Sequence, residues 1–116
     1  MSDTAVGSRL TIGVQHFDGV AVVRCRGKLV AGLNDHLYDE VKQLFPASPR
    51  IVLDFADLTH MDSMGLGTLV RLYVSAKSAG CVLELENVGK PIRHLLGITH
   101  MLSVFGSVGE NKIRMG

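Results

Sequence analysis

Residue types and spacing suggest chemistry most clearly in His60-Met61-Asp62-Ser63-Met64-Gly65-Leu66-Gly67. A serine at the start of a helical stretch is a natural N-cap, so Ser63 is expected to place its hydroxyl among the free N–H groups of a first helical turn. A phosphate at that hydroxyl would meet those donors and the positive end of the helix dipole. Gly65 and Gly67 leave the turn nearly bare of side chains. Each glycine costs a helix about 1 kcal/mol relative to alanine. Two in one turn therefore need a reason, which is either close approach by a partner or packing of the helix onto a sheet.

Other chemistries fit these residues less well. A serine nucleophile on a hydrolase elbow requires GxSxG, and Met61 stands where the first glycine belongs. The side chains of His60, Asp62 and Ser63, adjacent in sequence, diverge too far for a triad. Asp54, Asp57 and Asp62 invite comparison with the acidic pocket of a phosphate-receiving domain, but Asp57 and Asp62 read equally well as a turn residue and a helix-entry residue. The histidines at 16, 36, 60, 94 and 100 show no metal-binding spacing. Cys25 and Cys81 lie in apolar or alternating segments and read as reduced core thiols. No metal and no cofactor are expected.

The elements that hold this segment follow from periodicity. Leu10, Ile12 and Val14 alternate with Thr11, Gly13 and Gln15, and Asp18-Gly19 predicts a hairpin turn. The second strand puts Ala21, Val23, Cys25 and Leu29 on one face and Val22, Arg24, Arg26 and Lys28 on the other. Asn34 is expected to cap a first helix with Leu37, Val41, Leu44 and Phe45 as its apolar stripe, closed by Pro46 and Pro49. Ile51 to Phe55 reads as a central strand, followed by a tight link, ADLTHMD. A second helix from Ser63 to about Ala79 turns Leu66, Leu69, Val70, Tyr73 and Ala76 inward, and Met64, Thr68, Arg71, Ser75 and Ser78 outward. Gly80 stops it. A fourth strand runs from Cys81 to Val88, with charges of opposite sign to those of the second. Pro91 opens a third helix ending at Gly97, and Val104-Phe105 suggests a last short strand.

The order of elements predicts a single α/β domain with a mixed sheet of four to five strands, an opening antiparallel hairpin, and helices packed mainly on one face. Residues 1–8 are expected to be disordered, 9–108 to form the domain, and 109–116 to be a short tail. The chain has 116 residues, 47% apolar and 20% charged, with a net charge of +1. Such a chain buries about two thirds of its unfolded surface and needs no staple. Twelve basic residues against eleven acidic ones leave no field that holds nucleic acid or an anionic membrane by charge alone. The apolar runs are far shorter than the roughly 18 residues that span a bilayer, and the start, MSDTAVGSR, lacks a secretory pattern. A soluble cytoplasmic protein with no direct nucleic-acid binding and no membrane insertion is the expectation.

Asp62-Ser63-Met64-Gly65-Leu66-Gly67, preceded by Ile51-Val52-Leu53-Asp54-Phe55 and Leu58-Thr59-His60-Met61, resembles the signature of STAS domains, the family of bacterial anti-sigma factor antagonists. The likeness covers nearly the whole chain. Gly27-Lys28-Leu29 matches the end of the family's second strand, and Pro91-Ile92-Arg93-His94-Leu95-Leu96 through Leu102 matches its third helix and following turn. The resemblance implies that Ser63 is a phosphoacceptor. It implies a non-enzymatic partner switch: the unphosphorylated domain binds an anti-sigma factor that is also a serine kinase, the kinase's phosphorylation ends the complex, and a phosphatase restores it. It places docking around the serine, at Asp62, Ser63, Met64, Gly65, Gly67, Thr68 and Arg71. The chain departs from the family pattern at Lys28 and Val30, where acidic residues are frequent, and at Met64, where serine or threonine is common. Other members of this fold serve as scaffolds in signalling or transport assemblies without a serine switch, and that alternative stays open here.

Overall fold

The computed structural model describes residues 9–98, 105–107 and 112–115. The expected disorder of residues 1–8 and the expectations for Leu102 and Val104 lie outside the described residues. Strands β1 (Leu10–Phe17) and β2 (Val20–Leu29) form the opening antiparallel hairpin. Asp18 and Gly19 turn it with φ of 42° and 83°, the paired positive values that suit a two-residue loop. Then follow α1 (Asn34–Lys42), β3 (Arg50–Met61), α2 (Ser63–Ala79), β4 (Val82–Glu86), α3 (Lys90–Ile98), β5 (Phe105–Ser107) and β6 (Lys112–Met115).

The strands form one mixed sheet in the order β1-β2-β3-β4-β6-β5. The pairs β2/β3 and β3/β4 are parallel, and the remaining pairs are antiparallel. The α/β class, the opening hairpin and the helices on one face agree with expectation, while the sheet extends to six strands. The extra strand comes from the segment expected to be a tail: Lys112–Met115 inserts between β4 and β5.

One face of the sheet carries the core. Ala21, Val23, Cys25 and Leu29 of β2, Ile51, Leu53 and Phe55 of β3, and Leu83 and Leu85 of β4 are all buried. They share a cluster with Leu37 and Val41 of α1, Leu66, Leu69, Leu72 and Ala76 of α2, and Ile92 and Leu96 of α3. The opposite face is polar. There Arg24 pairs with Asp54 at 3.5 Å and Arg50 with Glu84, so Arg24 of β2 and Glu84 of β4 each meet an opposite charge on β3.

β3 is longer than expected, because the predicted link ADLTHMD is strand. Between the pairs Arg24↔Asp54 and Leu29↔Met61, β3 uses two more residues than β2, with register shifts after Arg24 and after Gly27. Such irregularities break the two-residue alternation that identifies a strand. Thr59 Oγ1 donates to the Gly27 carbonyl at 2.9 Å and ties the irregular stretch to its neighbour.

Both cysteines are free and buried. Burial, followed by the nearby Asp54 charge, pushes the Cys25 thiol up to about 12. Cys81 Sγ lies 3.2 Å from the Ser48 carbonyl and 3.3 Å from that of Phe45, and burial raises its pKa as well. Because the thiolate is the reactive form, neither cysteine should react with Ellman's reagent at pH 8 in the native protein, and both should react in denaturant. Rapid labelling of Cys25 in the folded state would contradict this packing.

Candidate functional site

The β2–α1 loop and the first turns of α2 meet at the ends of β2 and β3. Their junction is made by Asp62, in extended conformation just ahead of α2. Asp62 Oδ1 accepts from the Gly65 N–H at 2.9 Å, and Oδ2 accepts from the Ala31 N–H at 3.0 Å. The Asp62 N–H in turn donates to the Leu29 carbonyl at 3.4 Å. One carboxylate therefore caps the helix and holds the loop against it. The Ala31 hydrogen bond first, then that of Gly65, keeps the Asp62 carboxyl below its ordinary value of 3.8.

The N-cap is therefore Asp62 and not Ser63, a correction of the expected assignment. Both residue types cap well, but the carboxylate has two separate oxygens and uses one for the Gly65 N–H and the other for the Ala31 N–H on a different segment, whereas serine offers a single oxygen. Ser63 stands at the first helical position, exposed, and its hydroxyl has no hydrogen-bond partner among the described residues. Asn34 is likewise not the cap of α1. It is buried, and its Nδ2 donates to Thr68 Oγ1 at 3.0 Å; the Thr68 hydroxyl donates to the Met64 carbonyl at 3.2 Å.

The two glycines separate. Gly65 is buried, and a Cβ built on it would collide with the Leu29 carbonyl oxygen and sit 3.0 Å from the Leu29 Cγ. It lets α2 approach the end of β2, so it belongs to packing and offers no outward surface. Gly67 is exposed, and a Cβ there would meet nothing within 4 Å. The fold gives no reason for a glycine at that position.

The sequence matches the STAS domain over residues 11–114. The chain belongs to the STAS domain family. It is 31% identical over 101 residues to the anti-sigma F factor antagonist of Paenibacillus polymyxa, covering 82% of this chain and 83% of that protein. Among solved structures it resembles an anti-sigma factor antagonist from Mycobacterium paratuberculosis, with a TM-score of 0.72, 21% identity, and coverage of 81% and 80% of the two chains. It also resembles the Bacillus cell fate determinant SpoIIAA in its phosphorylated form, with a TM-score of 0.64, 17% identity, and coverage of 77% and 83%. At these identities the structures establish the fold.

In this STAS domain the residues singled out from sequence fall into two groups. Ser63, Met64 (53% exposed) and Gly67 line the outer side of the first two turns of α2, with Asp62 half-buried behind them. Thr68, expected on the outer stripe, is 1% exposed, and Leu72, which the expected stripe omitted, is fully buried. Reading one apolar stripe assumes a single neighbour, whereas α2 packs against both the sheet and α1 and so buries a wider arc. Arg71 is exposed but engaged: it lies 3.5 Å from Asp35 and 4.1 Å from the centre of the Tyr38 ring. Ala31 was missed by the sequence reading, because a backbone N–H leaves no signature in residue type.

The glycines give the first expectation here. Gly65→Ala should lose about 1 to 3 kcal/mol, because the obstructing atom is backbone, whereas Gly67→Ala should gain up to about 1 kcal/mol; thermal denaturation of the two variants reads the difference. The cap gives the second. Asp62→Ala should cost about 0.5 to 2 kcal/mol, with Ser63→Ala close to neutral. Because the folded-state pKa of Asp62 lies below the unfolded value, its stabilisation is fully present above about pH 3.8 and is lost as pH falls through the lower folded value. Asp62→Asn should flatten that part of the acid-denaturation profile, and an NMR titration midpoint at or above 3.8 would contradict the assignment.

Proposed function

We propose that this domain is an anti-sigma factor antagonist that docks through the outer side of the first two turns of α2 and is switched off by phosphorylation of Ser63. The observation that carries the proposal is the Ser63 hydroxyl, exposed at the start of α2 and without a hydrogen-bond partner among the described residues, while the Asp62 carboxylate holds the cap. A phosphate there leaves the fold intact. The partner is an anti-sigma factor that is also a serine kinase, and a phosphatase resets the domain. The relatives named as antagonists, and the Bacillus cell fate determinant SpoIIAA solved in its phosphorylated form, support the reading.

Docking and its loss follow from one surface. Met64 supplies exposed apolar area, and Gly67 leaves the helix backbone open to a closely fitting partner. Phosphorylation places a charge of about −1.5 to −2 beside that area. The first-turn Gly65 N–H is already taken by Asp62, and Arg71 is held by Asp35 and Tyr38, so little within the domain neutralises it. Burying the charge under a partner then carries an uncompensated desolvation cost.

The test uses the anti-sigma factor kinase captured from the source cell with the Ser63→Ala protein. Incubation with ATP should add one phosphate to the wild-type chain at Ser63 and none to Ser63→Ala. Ser63→Asp and Ser63→Glu should keep the wild-type circular dichroism and bind the kinase about a hundredfold more weakly or worse. Gly67→Ala should bind more weakly without loss of melting temperature. An unmodified Ser63, with equal affinity of the wild type and the acidic variants, would overturn the switch and favour a constitutive scaffold.

A further inference from the structure

The sheet ends on one side in β5, of three residues, and on the other in β1, of eight. We infer that the free edge of β1 pairs antiparallel with β1 of a second copy, forming an isologous dimer whose two-fold axis passes at Gly13.

The hairpin decides which backbone groups are free. A two-residue loop makes Phe17↔Val20 a hydrogen-bonded pair, and such pairs alternate along the ladder. Gln15, Gly13 and Thr11 therefore direct their N–H and C=O groups toward β2. Ile12, Val14 and His16 direct theirs outward, where they have no backbone partner among the described residues.

Devices within a strand that usually blunt an exposed edge are missing from β1. LTIGVQHF contains no proline, lysine, arginine or carboxylate, and its register with β2 runs unbroken from Leu10↔Gly27 to Phe17↔Val20. Gly13 sits in the middle without explanation from the fold: its φ is not positive, no register shift involves it, and a Cβ would meet nothing within 4 Å. With no register shift at Gly13, the use left for such a strand glycine is close approach from outside the chain, and at a strand edge we assign that approach to another backbone.

These facts choose both occupant and register. Outward pairing puts Ile12, Val14 and His16 in hydrogen-bonded positions, so Gly13 falls in the closer, non-hydrogen-bonded type of pair. With the axis at Gly13, Ile12 stands opposite Val14 of the partner subunit, two half-buried apolar residues on the helix-covered face. On the other face Thr11 stands opposite Gln15 of the partner subunit. Phe17, 55% exposed, stands opposite Arg9 of the partner subunit. No pair opposes like charges, and an even register keeps the helices of both copies on the same side of a continuous sheet. The pairing uses no residue of the Ser63 site.

Sedimentation equilibrium of the full chain tests this. Wild type should sediment with twice the 12.5 kDa chain mass. Gly13→Glu sets two carboxylates face to face, with the Arg24 beside each already paired to Asp54, and should sediment as a single chain with unchanged circular dichroism. Thr11→Glu with Gln15→Lys should keep or tighten the doubled mass, because opposite charges then face each other, and Thr11→Glu with Gln15→Glu should abolish it. A single-chain mass for the wild type at every concentration, or a doubled mass that survives in Gly13→Glu, would overturn the proposal. So would a dimer that forms only after residues 1–8 are removed, since that segment would then occupy the edge itself.

Discussion

The Asp62 carboxylate closes two gaps in the backbone hydrogen-bond network at once, one in the β2–α1 loop and one in the first turn of α2. Without it the Gly65 and Ala31 N–H groups would need other partners, and the loop would lose its direct hydrogen bond to the start of the helix. Gly65 works together with this tie. It brings α2 against the Leu29 carbonyl, the same oxygen that accepts from the Asp62 N–H. The position of Ser63 depends on both, since the first residue of a helix goes where its cap and its closest packing contact send it. Function is proposed at Ser63, but the precision of the site is supplied by its neighbours on either side.

Where hydrophobic alternation is regular, the fold was legible from sequence. The β1/β2 hairpin, the inward face of β2, the extent of α2 and the stop at Gly80, with φ of 75°, follow from turn chemistry and period alone. Legibility failed where the local period is interrupted or where tertiary neighbours widen a buried face. The irregular half of β3 puts Ala56, Asp57, Thr59 and His60 at exposed positions around a buried Leu58, a pattern that reads as a link. β6 is four residues of mixed polarity, and its strand character comes from β4 and β5 on either side.

At the site, residue type identified the segment but not the division of labour within it. Asp62 and Ser63 are both good caps, and only the position of the Ala31 N–H decides in favour of the carboxylate. Two glycines two residues apart look equivalent on paper, yet one faces the end of a strand and the other faces solvent. Thr68 reads as a surface residue until Asn34, from a different helix, is seen to supply its hydrogen bond.

The place of β6 bears on how the chain assembles as it is made. β5 is synthesised before β6 but, among the described residues, pairs with the sheet through β6, and β4 lacks its second strand neighbour until residues 112–115 arrive. The order of docking on this side of the sheet therefore runs against the order of translation. The hairpin and the parallel centre can form as they emerge from the ribosome, whereas the far side must wait and then close with two strands together. During that interval the edge of β4 is without its neighbour, which opens a second route to edge-to-edge misassembly on this side of the sheet.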